Sequence, residues 1–198
     1  MTDQKKKNQR TIIILALMTL IPFSYAWYLT TDPDFRPGST NKGDLIIPVI
    51  TTKRAELQGV DQFSSENIDE LKGHWVMLNI IPNQQCNKVC TDAIHATKQI
   101  RLMINIDLTR TRRAVVVMHG EQEEGFQPWW DKDDRLIKVK PDIALAEKIK
   151  QLLGAEMLDG QLILMDPLGN LMMQYKSGFD PYAVKRDLKK LLRISQIG

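Results

Sequence analysis

Cys86 and Cys90 are the only cysteines in the 198-residue chain, and they stand four positions apart in CNKVC. Once helical, residues i and i+4 lie on one face. In a partly unwound first turn the two sulfurs could close a disulfide or hold one metal ion. A helix N-terminus presents unpaired N–H groups and the positive end of the dipole, so a thiolate there is stabilised. Three readings stay open for the pair: a functional thiol pair, a structural bridge or a vestige. A purely structural bridge gains little, because closing so short a loop removes little unfolded-state entropy. Two cysteines are also too few for a disulfide-stapled miniprotein.

Position gives the pair its context. Residues 74–81 (HWVMLNII) are nearly all apolar, as a buried central strand should be. The cysteines follow in a loop that leads into a helix, with Ile94, Thr97, Ile100, Met103 and Ile104 at three-to-four spacing. Residues 113–118 (RAVVVM) predict a second buried strand, and 136–139 a short one. Pro141 and Asp142 open a helix to about Leu153. Residues 162–165 and 171–175 predict a hairpin across the turn DPLGN. Asp180 caps a last helix with Pro181 at its first position, and Val184, Leu188, Leu191 and Leu192 form its buried stripe. Upstream, 45–50 (LIIPVI) reads as an edge strand, because Pro48 cannot donate to a ladder. Residues 63–71 read as a polar connector. The order strand, helix, strand, helix, hairpin, helix implies a parallel pair followed by antiparallel strands. This is an α/β plan, thioredoxin-like, in three layers around a mixed central sheet. Such a plan places its chemistry after the first core strand, where the cysteines stand.

The N-terminus says where that chemistry would take place. The chain carries a formal charge of +3, and residues 1–10 account for it with Lys5, Lys6, Lys7 and Arg10 against Asp3. What remains holds 23 charges of each sign. Residues 11–31 are 21 uncharged positions, about 31 Å as a helix at ~1.5 Å per residue, close to a bilayer's hydrocarbon thickness. Trp27 and Tyr28 fall near the far end, where amphipathic rings prefer the interface. The reading is a cytoplasmic tail (1–10), a single transmembrane anchor (11–31), a linker (32–44) and a periplasmic domain (45–198) on a bacterial inner membrane, oriented by the positive-inside rule. A cleaved signal peptide is the alternative, with Ser24-Tyr25-Ala26 as a small-x-small site. The apolar run continues past that site through Leu29, which favours the retained anchor. Either way the domain is exported, where disulfides persist.

The chain resembles the Sco/SenC proteins, membrane-anchored thioredoxin-like copper chaperones for cytochrome c oxidase. The resemblance rests on Leu71-Lys72-Gly73 before the strand, on Cys86 and Cys90 as C-x-x-x-C, and on Asp166-Pro167-Leu168-Gly169 as a DP-x-G turn. It covers about residues 43–193 and the anchor. It implies copper or redox work on the oxidase CuA site, with Cys86 and Cys90 as redox pair and as copper ligands. An oxidase subunit, or another copper or redox assembly factor, is the implied partner. Soft thiolates suit Cu(I), and a dithiol could equally reduce a disulfide at the recipient site. A non-catalytic assembly scaffold and a general thiol–disulfide oxidoreductase are the alternatives.

Three departures stand out. Asn87 follows the first cysteine where the family usually has proline. The family's distal histidine would fall at Leu158 or Asp159, and neither is histidine. A thioredoxin-type oxidoreductase would have a cis-proline there, and residues 156–162 contain no proline. His119, at the end of the second core strand, and Met157 are the candidate replacement ligands. His95 stands roughly 140° around the helix from Cys90, and His74 starts the strand at its other end.

Trp129 and Trp130 suggest an exposed aromatic contact. The last helix carries Lys185, Arg186, Lys189, Lys190 and Arg193, a solvated face or a contact for anionic head groups. No P-loop, GxGxxG, HExxH or nucleophile elbow occurs. A formally neutral domain argues against nucleic acid.

Overall fold

In a computed structural model of the chain, residues 2–31, 40–82, 86–118, 133–154, 157–195 and 197 are described. They divide into two compact units, Met1–Thr40 and Asn41–Gly198. The first is one helix, α1 (Thr2–Thr31). Within it Gln4–Leu29 is long and apolar enough to cross a membrane, a property that an N-terminal signal sequence shares. The segment has no polar stripe, so it is not the amphipathic helix of a soluble core.

The second unit is built on a seven-stranded mixed sheet. In chain order it contains β1 (Asp44–Thr51), β2 (Leu57–Gly59), α2 (Gln62–Asn67), β3 (Trp75–Ile81), α3 (Lys88–Ile104), β4 (Thr111–Val117) and β5 (Ile137–Pro141). It continues with α4 (Ile143–Leu153), β6 (Leu162–Met165), β7 (Asn170–Tyr175) and α5 (Pro181–Ile194). The spatial order is β1-β7-β6-β3-β4-β5-β2. β3 runs parallel to β4, and β4 to β5, while β6 is antiparallel to both β3 and β7. The expected parallel pair and closing hairpin are therefore present.

β3 sits mid-sheet and is buried along its whole length. Its alternation divides the core into two faces. Val76, Leu78 and Ile80 pack with Leu145 and Ile149 of α4 and with Ile68 and Leu71. Trp75 and Met77 pack with Ile100 and Ile104 of α3 and Val184, Leu188 and Leu192 of α5. These are the three layers. One polar chain crosses the α3 face. Thr97 Oγ1 donates to Asn79 Oδ1 at 2.8 Å, and the Arg113 guanidinium donates to Thr97 Oγ1, to the Ile94 carbonyl and to Asp133. It fixes the register of α3 on the sheet through groups too costly to leave unpaired.

Local departures from the sequence reading have local causes. Residues 63–71 are not a connector but α2 followed by a 3-10 turn over Ile68–Leu71. Asp61 caps α2 by accepting from the Ser64 N–H at 2.7 Å. Pro141 ends β5 rather than opening α4; Asp142 alone is the cap, accepting from Leu145 N–H. β2 escaped the sequence reading because three residues carry no measurable alternation. Pro48 does lie on an edge strand, within the stretch where the β1–β7 register slips.

The turn and lead motifs meet each other away from the cysteines. Gly73 N–H donates to the Pro167 carbonyl at 3.0 Å. Asp166 organises the turn by accepting from the N–H groups of Leu168 and Asn170. Both motifs lie at the start of β3, so their work is structural.

Candidate functional site

Cys86 and Cys90 are joined in a disulfide, with Cα atoms 5.3 Å apart. The pair lies just beyond the C-terminal end of β3. It packs with Ile81, Ile94, Val115 and Leu136. The helix begins later than i, i+4 pairing required: α3 starts at Lys88 with Asn87 as its cap, so only Cys90 is helical. Cys86 precedes the cap and is 8% exposed, against 1% for Cys90. Both cysteines are buried, the first slightly less so than the second.

Asn87, one of the departures from the Sco pattern, is the residue that ties the site together. Its Oδ1 accepts from the Cys90 N–H at 3.1 Å, a standard capping bond. Its Nδ2 donates to Asp159 Oδ2 at 2.6 Å. Asp159 is another departure, so two positions where the family pattern fails are in contact. Strand direction brings them together. β6 is antiparallel to β3, with Leu162 opposite Asn79, so the loop before β6 arrives at the cysteine end of the sheet.

That loop is held from several sides. Ser177 Oγ donates to the Asp159 carbonyl at 2.6 Å, and Leu158 N–H donates to Gln161 Oε1. Ile80 N–H donates to the Gln161 carbonyl. Asp159 Oδ1 is buried without a hydrogen-bond partner among the described residues. Burial pushes the Asp159 carboxyl above its ordinary value, and no charged neighbour contributes to that shift. Desolvated carboxyls in such places are enriched at functional sites.

Gly160 has φ +80° and lies against α3. A Cβ there would stand 2.9 Å from Val89 Cγ1 and 3.1 Å from the Val89 carbonyl oxygen. Gly160→Ala is expected to cost about 1–3 kcal/mol through backbone strain and close contact, lowering the melting temperature by several degrees. An unchanged melt would show that the loop is not held against α3.

The other sequence candidates are elsewhere. Met157 packs against the main core cluster, which uses its thioether as an apolar filler. His95 is exposed beside Gln99, and His74 Nδ1 lies 3.1 Å from the Lys72 carbonyl at the far end of β3. His119, Trp129 and Trp130 lie outside the described residues. No group of three or more His, Cys, Asp or Glu side chains that could hold a metal ion forms among the described residues.

A family model described as "Transmembrane-like, thioredoxin-like, C-terminal domain" matches residues 75–195, more than half of the chain. The chain belongs to this family. The solved structure of apo Sco1 from Thermus thermophilus is similar with a TM-score of 0.52 at 12% identity, covering 78% of this chain and 99% of that one. Copper-bound ScoI from Arabidopsis thaliana matches with a TM-score of 0.49 at 14% identity, covering 64% of this chain and 89% of that one. Copper-bound yeast Sco1 matches with 0.48 at 9% identity, covering 80% and 96%. No curated protein matches. The Thermus likeness shows that this member has the thioredoxin-like fold on which Sco proteins are built. The match begins at Trp75, the first residue of β3, and so takes in the whole site.

Among the features missed by sequence reasoning, Asn87 had a legible signal: an asparagine directly before a periodic helix is a capping residue. Asp159 and Ser177 had none, because nothing local marks their approach to α3.

Proposed function

We propose that this protein is a membrane-tethered thiol–disulfide factor of the Sco-like kind. It acts from the periplasmic face of a bacterial inner membrane in the assembly of cytochrome c oxidase. The observation that carries the reading is the Cys86–Cys90 disulfide at the start of α3, with Cys86 8% and Cys90 1% exposed. The apolar helix supports the tether.

The step balances as follows. In the reduced protein the Cys86 thiolate attacks a disulfide of the target, and one target sulfur leaves as a thiolate that takes a proton. Cys90 then loses its proton and attacks Cys86, re-forming the internal disulfide and releasing the second target sulfur as a thiol. Two electrons pass to the target, and an upstream dithiol donor resets the pair. The target is the CuA cysteine pair, or that of a factor that loads it, because copper enters only a reduced pair.

Copper is cargo in the competing delivery reading, which uses the same two sulfurs. Thiolates are suitable Cu(I) ligands, but the loop before β6 brings a hard carboxylate to Asn87 rather than a soft third ligand to the sulfurs. The geometry therefore favours electron transfer over metal carriage.

Cells carrying Cys86→Ser/Cys90→Ser are expected to make oxidase with little CuA. A membrane-impermeant thiol reductant should restore CuA if reduction is the task, and added copper should restore it if delivery is. Normal CuA in the double variant would overturn both and leave a scaffold.

A further inference from the structure

We propose that the basic outer face of α5 is a docking surface for an anionic phospholipid bilayer, the membrane that the chain's own anchor crosses. This rests on the reading of α1 as a membrane anchor and specifies which face of the domain meets the lipid.

The helix separates two chemistries. Val184, Leu188 and Leu192 are buried with Ile100 and Ile104 of α3. Arg186, Lys189, Lys190 and Arg193 are exposed, and at ~100° per residue they fall within an arc of roughly 100°. Lys185 adds a fifth cation at the edge of that arc, its Nζ 5.9 Å from the centre of the Tyr182 ring. The only acid of the helix, Asp187, is turned inward and accepts from Lys42, Gly43 and Tyr175. Among the described residues Arg186, Lys189 and Arg193 have no ion-pair partner. Residues 11–198 are formally neutral, so five cations on one face are a local concentration of charge. Tyr182 and Ile194, 65% and 69% exposed, stand at the two ends of the stripe. Cations beside exposed aromatic and aliphatic groups suit a lipid interface, where rings and alkyl chains enter the head-group layer and the cations meet phosphates.

The tether makes a bilayer the occupant. Lys42 and Gly43, through which the chain enters the domain, donate their N–H groups to Asp187 Oδ2 at 2.7 and 3.0 Å. The covalent route from the anchor therefore arrives at α5 itself. Ten residues, 32–41, lie between Thr31, the last of α1, and Lys42. A face beside Lys42 accordingly meets the bilayer surface at high effective concentration, where individually weak contacts suffice. Lys42 is exposed and adds its own charge at the entry point. An acidic protein would satisfy the same cations, but the tether brings lipid to α5 and not a protein. α5 packs beside α3, at whose start the disulfide lies, so docking also restricts the directions in which the pair is presented to a partner.

The test places the full-length protein in nanodiscs of phosphatidylcholine, alone or mixed with phosphatidylglycerol, acetylates its lysines and reads them by mass spectrometry. Labelling of Lys185, Lys189 and Lys190 is expected to fall about three- to fivefold in the anionic discs relative to the neutral ones. It should recover at about 1 M salt, where the Debye length shrinks to about 3 Å. Lys148 and Lys150 of α4, across the sheet, are the controls and should label equally in both discs. Arg186→Glu/Arg193→Glu leaves the lysines in place as reporters and should abolish the difference between the discs. The salt response of the wild type reads the same contact should that variant not fold. Equal labelling of the α5 lysines in the two discs overturns the proposal and leaves the face to solvent or to an acidic protein. Protection that survives salt or charge reversal, or that extends to Lys148 and Lys150, overturns it as well. Protection by inorganic phosphate over neutral discs assigns the face to a soluble anion and has the same consequence. A chain that enters neither disc overturns the anchor reading, and the docking with it.

Discussion

Cys90→Ser is expected to arrest disulfide exchange at its midpoint. Cys86 can still attack a target disulfide, but no second thiol remains to resolve the mixed disulfide. Resolution by Cys90 is intramolecular, its partner sulfur held four residues away at the same helix start. Replacing it with a bimolecular thiol should slow release by roughly a hundredfold or more, since well-oriented intramolecular reactions have large effective molarities. The variant should therefore accumulate a covalent adduct, visible as a higher band on a non-reducing gel that collapses with dithiothreitol. Cys86→Ser should give no such band, because Cys90, 1% exposed, is the more deeply buried of the two. Equal adducts through either cysteine would contradict this order of attack. No adduct in either variant would point to a bridge that never opens.

The largest stability effect is expected at Asp187, far from the cysteines. Its carboxylate is buried on the inner side of α5, 3% exposed. Oδ2 accepts from the Lys42 N–H at 2.7 Å, the Gly43 N–H at 3.0 Å and the Tyr175 hydroxyl at 2.9 Å. Burial, and then the Asp187 carboxylate, push the Tyr175 hydroxyl far above its ordinary pKa, so it remains a donor at any physiological pH. Asp187→Ala would orphan three donors at once. With about 1–3 kcal/mol per unsatisfied buried group, and incomplete additivity, the loss should be about 3–5 kcal/mol. At ~2–4 °C per kcal/mol for a domain of this size, melting should fall by about 6–20 °C. Tyr175→Phe removes one bond and should cost about 1 kcal/mol. A fall of under 3 °C for Asp187→Ala would show that water replaces the carboxylate. The position matters for a tethered protein, because residues 42 and 43 lead from the N-terminal unit into β1.

Legibility followed the range of the interactions. β3 was readable from a nearly continuous apolar run, α3 from its three-to-four spacing, and α5 from Asp180-Pro181 before a regular stripe. Each of those signals lies within one element. α2 was not readable, since its six residues bury only Ser64 and show no apolar stripe. The end of β5 was misjudged because proline is equally at home at a strand end and in a first helical turn. The site divided in the same way. The cysteine pair and its place after a core strand were plain, and Asn87 and Asp159 registered only as mismatches to a family pattern.

The residues alone determined the apolar N-terminal helix, the basic tail and neutral remainder, the thioredoxin-like order of elements and the presence of one cysteine pair. Hydrophobic periodicity, capping and net charge are properties of neighbouring residues, so no fold is needed to read them. Only the tertiary structure decided what stands beside the cysteines. The Asn87–Asp159 bond spans 72 positions, and it exists because β6 runs antiparallel to β3 and delivers its preceding loop to the start of α3. A contact of that range depends on strand register and on the packing of Gly160 against Val89, neither of which leaves a periodic trace in the chain.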